Sequence, residues 1–233
     1  MNTIFISGAS RGIGLELCKQ LLNRDERVIA GCRDPANAQN LITLSSQYSN
    51  LEIVELDVND ENSVKNCFEQ LNQKEQGIDK LYNNAGIIDW SNLLEVTEDS
   101  FSKVLQTNLL GALLVLRHAL PCLGRSASPW VYNMSSRLGS VELRGNTHLG
   151  GAIAYQCSKA GLNMLTKQAS IDLGPKGIKV VSITPGWVRT EMGGADAKYN
   201  VSESVTNILR VTDHLNLGHN GCFLAEDGTE IPW

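Results

Sequence analysis

Three glycines behind a short apolar run set the tightest limit on how this chain folds. Thr3-Ile4-Phe5-Ile6-Ser7 is β-branched and aromatic, the composition of a buried strand. Gly8-Ala9-Ser10-Arg11-Gly12-Ile13-Gly14 follows, and Leu15, Leu17, Leu21 and Leu22 then mark a helix. In a strand–turn–helix of this kind Gly8 permits the tight turn. Gly12 lets backbone approach a pyrophosphate, and Gly14 allows close helix–strand packing. The helix start offers unpaired N–H groups and the positive end of its dipole to phosphate oxygens. Ser10, Arg11 and Ile13 lie inside the turn and join it as candidate contacts. The first two glycines are further apart than in G-x-G-x-x-G, so a plain turn before a helix is the competing reading.

The rest of the chain repeats the rhythm. Arg27–Cys32, Leu51–Leu56, Ile78–Asn83, Trp130–Met134 and Lys179–Ile183 read as strands, with Cys222–Leu224 as a short seventh. Phe101–Leu120 reads as a long apolar helix closed by Pro121. Tyr155–Leu173 reads as a helix ended by Gly174-Pro175. Strands alternating with helices imply a parallel sheet with helices on both faces and right-handed crossovers. The 233 residues suit one domain, 1–233. Thr190 to Leu217 is the least regular stretch, and its small, polar first part, Glu191–Asn200, is expected to be a mobile flap.

Tyr155 and Lys159 fall in Tyr155-Gln156-Cys157-Ser158-Lys159. On a helix, residues four apart share a face. A phenol ionises near ~10, and a neighbouring ammonium draws that value down. The pair is therefore a way to build a proton donor that works near neutrality, although a solvated helix face is the plainer alternative.

Composition narrows the classes. With 42% hydrophobic and 19% charged residues the chain is of ordinary globular type, and a net charge of −5 without a basic stripe argues against nucleic acid. No apolar run is long enough for a bilayer and no signal-peptide pattern opens the chain, so the expectation is a cytoplasmic protein. The six cysteines lack C-x-x-C pairing and the four histidines (118, 148, 214 and 219) lack metal-ligand spacing, so no metal is expected.

Together these features resemble the short-chain dehydrogenase/reductase family over nearly the whole chain. The resemblance rests on the Gly8/Gly12/Gly14 turn, Asp57-Val58, Asn83-Asn84-Ala85-Gly86 and Asn108 in Thr-Asn-Leu-Leu-Gly. It continues through Asn133-Met134-Ser135-Ser136, Tyr155-x-x-Ser-Lys159 and Pro185-Gly186-x-x-x-Thr190. The ending Phe223–Trp233 looks like the small carbonyl-reductase group that includes C-factor and sniffer. The resemblance implies a Rossmann-type doubly wound α/β fold of about seven strands. It implies a catalytic set of Asn108, Ser136, Tyr155 and Lys159. Ser136, rather than Ser135, would hold the substrate oxygen, Tyr155 would exchange the proton, and Lys159 would bond the nicotinamide ribose. Asn108 would hold a water linking Lys159 to solvent. Asp57 and Val58 would flank the adenine. Asn84, with Ala85 and Gly86, would line the cofactor cleft. Ile183, Pro185, Gly186, Val188 and Thr190 would surround the carboxamide end. Two departures stand out: Ser7 replaces the family's usual Thr, and Ser136 and Tyr155 are nineteen apart. The extra residues, Arg137–Ala154, are expected to form a loop over the substrate cleft.

Cofactor choice turns on the end of the second strand. An acid there bonds the ribose of NAD, and an arginine accommodates the 2′-phosphate of NADP. Cys32 stands where the acid would be and Arg33 follows, with Arg11 as a second cation, so NADP(H) is expected; Asp34 is the competing reading. Leu138, Val141, Leu143, Ile153 and Trp187 suggest a small or medium apolar ketone or aldehyde as the partner molecule. An enone or imine would use the same residues. A homodimer or homotetramer is compatible with the resemblance. The alternative from another class is a C-factor-like dinucleotide-binding signalling or sensor protein with little turnover.

Overall fold

Seven parallel strands form one sheet in the order β3-β2-β1-β4-β5-β6-β7 in the computed structural model, which describes residues 1–144 and 150–233. The strands are β1 Thr3–Ser7, β2 Arg27–Cys32, β3 Leu51–Glu55, β4 Lys80–Asn83, β5 Trp130–Met134, β6 Lys179–Ile183 and β7 Phe223–Leu224. The helices are α1 Gly12–Leu22, α2 Gln39–Gln47, α3 Glu61–Gln73, α4 Glu98–Leu105, α5 Gly111–Leu123, α6 Val141–Arg144, α7 Ile153–Leu173 and α8 Val201–Asp213. Gly145 and His148, and with them the middle of the expected loop Arg137–Ala154, lie outside the described residues.

Alternating side chains explain the two layers. Ile4 and Ile6 of β1 pack with Leu17, Leu21 and Ile208 on the face covered by α1 and α8. Phe5 between them points the other way, into Phe68, Val115 and Leu173 from α3, α5 and α7. Strands buried on both faces read as continuous apolar runs, which is why the sequence marked them. Chain order reverses at β1, which lies between β2 and β4. In open α/β sheets the ligand crevice forms at such a switch point, beyond the carboxyl ends of the strands.

The long central helix differs from expectation at both ends. It begins at Glu98, because the Thr97 hydroxyl caps it by accepting the Ser100 N–H at 3.1 Å. It runs through Pro121 to Leu123. A proline so near the end removes one backbone bond from a turn that is already losing its partners. Between α4 and α5 the residues Gln106–Leu110 form a π-helical turn, with Asn108 inside it.

Candidate active site

The glycine turn is shaped by its neighbours. Gly8 takes φ +65°, and a Cβ there would sit 2.8 Å from Ala85 Cα. A Cβ on Gly14 would collide with the Gly8 carbonyl oxygen and come within 2.6 Å of Asn84 Nδ2. Gly12 takes φ +55° and has open space beyond it, with only Thr190 Cγ2 at 3.8 Å. Two glycines thus serve packing, and the third keeps clear the approach to the start of α1. No side chain caps that helix start, so its first amides have no side-chain partner. Ser7 locks the turn to the end of β4. Its hydroxyl accepts the N–H groups of Asn84 and Ala85 at 3.0 and 3.2 Å, and Asn84 Nδ2 donates back to the Ser7 and Gly8 carbonyls. The hydroxyl does this work, so serine replaces threonine there with the network intact.

A cleft of about 910 Å³ opens above the turn. Of the residues singled out from the sequence, Gly8, Ser10, Arg11, Gly12, Ile13, Arg33, Asp57, Val58, Asn84, Ala85, Gly86, Tyr155, Lys159, Pro185 and Thr190 line it. Asp34 is not among its walls. Its carboxylate accepts the Asn37 backbone and side-chain N–H groups at 3.2 and 2.8 Å, capping the short turn after β2. Cys32 is buried, and its thiol is raised by that burial. Arg11 is not free: it forms an exposed ion pair with Glu191 across the cleft mouth.

At the other end of the cleft the two serines separate. Ser135, and not the expected Ser136, is among the cleft walls, but it is largely buried and its hydroxyl donates to Asn163 Oδ1 at 2.7 Å, tying the end of β5 to α7. Ser136 is half-buried, accepts the Leu138 N–H at 3.2 Å, and shares a hydrogen bond with the Tyr155 phenol. Tyr155 sits near the start of α7 in an apolar cluster with Val104, Ala152, Ile88, Phe101, Leu138 and Met192. Burial pushes its phenol up to about 12, and the Ser136 hydrogen bond only partly offsets this. The ammonium was expected to draw it down; here burial dominates and the hydrogen bond that opposes it comes from Ser136, not from Lys159. Lys159 lies one turn on, with Nζ 5.5 Å from the Tyr155 ring centre, and donates to the Met134 carbonyl at 2.7 Å. Burial lowers its ammonium to about 8.

Asn108 stands behind Lys159. Its Oδ1 accepts the Ile87 N–H at 2.8 Å, and Nδ2 donates to the Ile87 carbonyl and the Ser158 hydroxyl at 2.9 and 3.0 Å. The side-chain amide is thus consumed by the β4 loop and α7. Its groups meet over Gly86, where a Cβ would lie 3.3 Å from Asn108 Oδ1 and 3.7 Å from Lys159 Nζ. π turns inside α-helices recur at functional sites. Apolar periodicity through Leu109 and Leu110 gave no sign of this one.

The profile of the short chain dehydrogenase family matches residues 2–200. The chain belongs to that family. Among short-chain dehydrogenases it is similar to the carbonyl reductases. It is 36% identical to the NADPH-bound carbonyl reductase from chicken fatty liver, with TM-score 0.95 over 100% of this chain and 99% of that one. It is also 36% identical to the carbonyl reductase Sniffer of D. melanogaster, with TM-score 0.94 over the whole of both chains. C-signal of Myxococcus xanthus is 44% identical over 157 residues, 67% of this chain and 93% of that protein.

Some expected positions of this short-chain dehydrogenase lie off the cleft. Gly186 turns toward Tyr199 and Glu226, and Val188 is buried and bridged to Tyr199. Leu143 packs with Phe223, Ala225 and Ile231 instead of facing Tyr155, and Val141 is exposed. Leu56, Asn59, Ile87, Gln106, Thr107, Glu191, Met192 and Val201 line the cleft without having been singled out. They come from the ends of separate elements, and no local pattern marks them. Residues 191–200 are pinned at their base, with Arg189 N–H on the Tyr199 carbonyl at 2.9 Å and Tyr199 N–H on the Trp187 carbonyl at 3.0 Å. Trp187 Nε1 also donates to the Gly193 carbonyl at 2.7 Å.

Proposed function

We propose that this protein is a single-domain, NADP-dependent reductase of small or medium apolar ketones and aldehydes. The observation that carries the reading is that Tyr155 and Lys159 line one end of the cleft, with Ser136 hydrogen-bonded to the Tyr155 phenol, while the glycine turn lines the other end. The residues fit a dinucleotide. Gly12 leaves room where a Cβ would intrude, the start of α1 has no side-chain cap, and the cleft's volume suits an elongated ligand. The turn Gly8–Gly14 would hold the pyrophosphate, Asp57 and Val58 the adenine, Asn84 the middle of the cleft, and Pro185 and Thr190 the carboxamide end. When bound, the nicotinamide supplies the hydride.

The chain's own residues manage the oxygen. Ser136 Oγ donates a hydrogen bond to it, which strengthens as negative charge develops. Tyr155 gives up its phenolic proton to it. A phenol at about 12 is a reluctant acid, so the reading requires a change on loading. Lys159 would supply it: freed from the Met134 carbonyl, its ammonium would be available to hold the ribose and to draw the phenol down. Asn108 fixes the strip of chain that faces Lys159, and a water held there would return the proton. The chicken and Sniffer carbonyl reductases as relatives support a carbonyl substrate, and the apolar cluster around Tyr155 supports an uncharged one.

A dinucleotide-binding signalling protein is the second reading, favoured by the similarity to C-signal. NADPH consumption with a panel of aldehydes and ketones decides between them. Turnover of uncharged carbonyls supports the reductase. Tight NADPH binding with no turnover across the panel supports the signalling reading.

A further inference from the structure

An uncharged substrate, the reading just given, meets a difficulty in Arg137, which follows Ser136 directly. Arg137 does not line the cleft, but a cation on the loop that carries Ser136 would attract carboxylates and phosphates toward it through space. Arg137 Nη2 lies 3.5 Å from Glu226 Oε2, and the Glu226 side chain keeps only 10% of its surface while Arg137 keeps 48%. Glu226 is placed by the fold, not by the surface: Ala225 before it is fully buried against Phe223 and Ile231. A Cβ built on Gly186 would lie 3.2 Å from the Glu226 carboxyl carbon. One carboxylate therefore touches both the loop carrying Ser136 and the loop opened by Pro185. Those two loops also send Leu138 and Met192 over Tyr155, so they bound the space a substrate enters. Two further charges are coupled to this pair: Lys198, whose ammonium feels both Glu226 and Arg137, and Asp227, whose carboxylate feels Arg137. The four charges sum to zero; without Glu226 the group is cationic.

We propose that Glu226 is a specificity-determining residue, which cancels Arg137 and so keeps carbonyl compounds bearing a carboxylate from being favoured. The test compares 4-formylbenzoate with its methyl ester, which differ by one charge away from the aldehyde. Wild type is expected to have the higher kcat/KM for the ester. Glu226→Gln keeps the shape and is expected to move the acid-to-ester ratio toward the acid by about 5-fold, the scale of one solvent-screened charge pair. The gain shrinks at high salt and disappears in Glu226→Gln/Arg137→Met. Arg137→Met alone, on an exposed side chain, moves the ratio further toward the ester and serves if Glu226→Gln does not fold. Ester preference with a ratio that moves in neither variant overturns this inference and leaves the apolar-substrate reading standing. Wild-type preference for the acid overturns both.

Discussion

Replacing Cys32 by Asp and Arg33 by Ala together should invert the choice of cofactor. Arg33 lines the cleft and has no ion-pair partner among the described residues, whereas Asp34, which would favour NAD, is committed to capping Asn37. A unit charge pair at 4 Å is worth about 1 kcal/mol in water and about 4 kcal/mol near a protein surface. Arg33 is exposed, so the low end applies, and about 1.4 kcal/mol corresponds to ~10-fold tighter binding of NADPH than NADH. Arg11 modulates this. Its ion pair with Glu191 has to open before its guanidinium can meet a phosphate, and exposed pairs of this kind are worth about 0.2–1 kcal/mol. Glu191→Gln should therefore tighten NADPH by up to about 5-fold and leave NADH nearly unchanged. Fluorescence titration of wild type, Glu191→Gln and the double variant with both nucleotides checks the whole chain of reasoning. Equal affinities in wild type, or tighter NADH, would show that Arg33 does not set the choice.

Three other outcomes follow from the geometry. Gly14→Ala, which drives a methyl into the Gly8 carbonyl, should cost about 1–3 kcal/mol and lower Tm by roughly 3–10 °C, read by calorimetry. Gly12→Ala has open space beyond it but puts a side chain at φ +55°, so it should cost about 1–2 kcal/mol of backbone strain and also weaken NADPH binding; unchanged NADPH affinity would contradict the role assigned to Gly12. Lys159, held at about 8 when folded against an ordinary ~10.4, binds fewer protons folded than unfolded between those values, so its contribution to stability rises as pH rises through that window. Denaturation of wild type and Lys159→Met across pH 7–11 isolates it, and parallel curves would refute the buried ammonium. Hydrogen exchange in residues 191–200 should slow on NADPH binding, because Glu191 and Met192 line the cleft; equal exchange with and without it would mark a rigid loop.

Much of the sheet was legible because its strands are buried on both faces, so Thr3–Ser7, Arg27–Cys32 and Lys179–Ile183 stand out as short apolar runs. The candidate site was legible where its cleft-lining residues fall on fixed local spacings, as in the turn around Gly8 and Gly12 and at Tyr155 and Lys159. It was illegible where the deciding partner is far along the chain. Nothing near Arg11 in sequence points to Glu191, nothing near Arg137 points to Glu226, and the upward shift of Tyr155 comes from burial in a cluster drawn from five segments. The π turn at Asn108 and the run of α5 through Pro121 are likewise choices of tertiary packing over local propensity.

Tyr155→Phe tests the central claim most directly. The ring keeps its place in the apolar cluster and only the hydroxyl is lost, so NADPH affinity should stay within a factor of about two while steady-state turnover of an uncharged aldehyde falls by roughly 10²-fold or more. Turnover within about a factor of two of wild type, at unchanged NADPH affinity, would show that the proton comes from elsewhere and that Tyr155 is a packing residue.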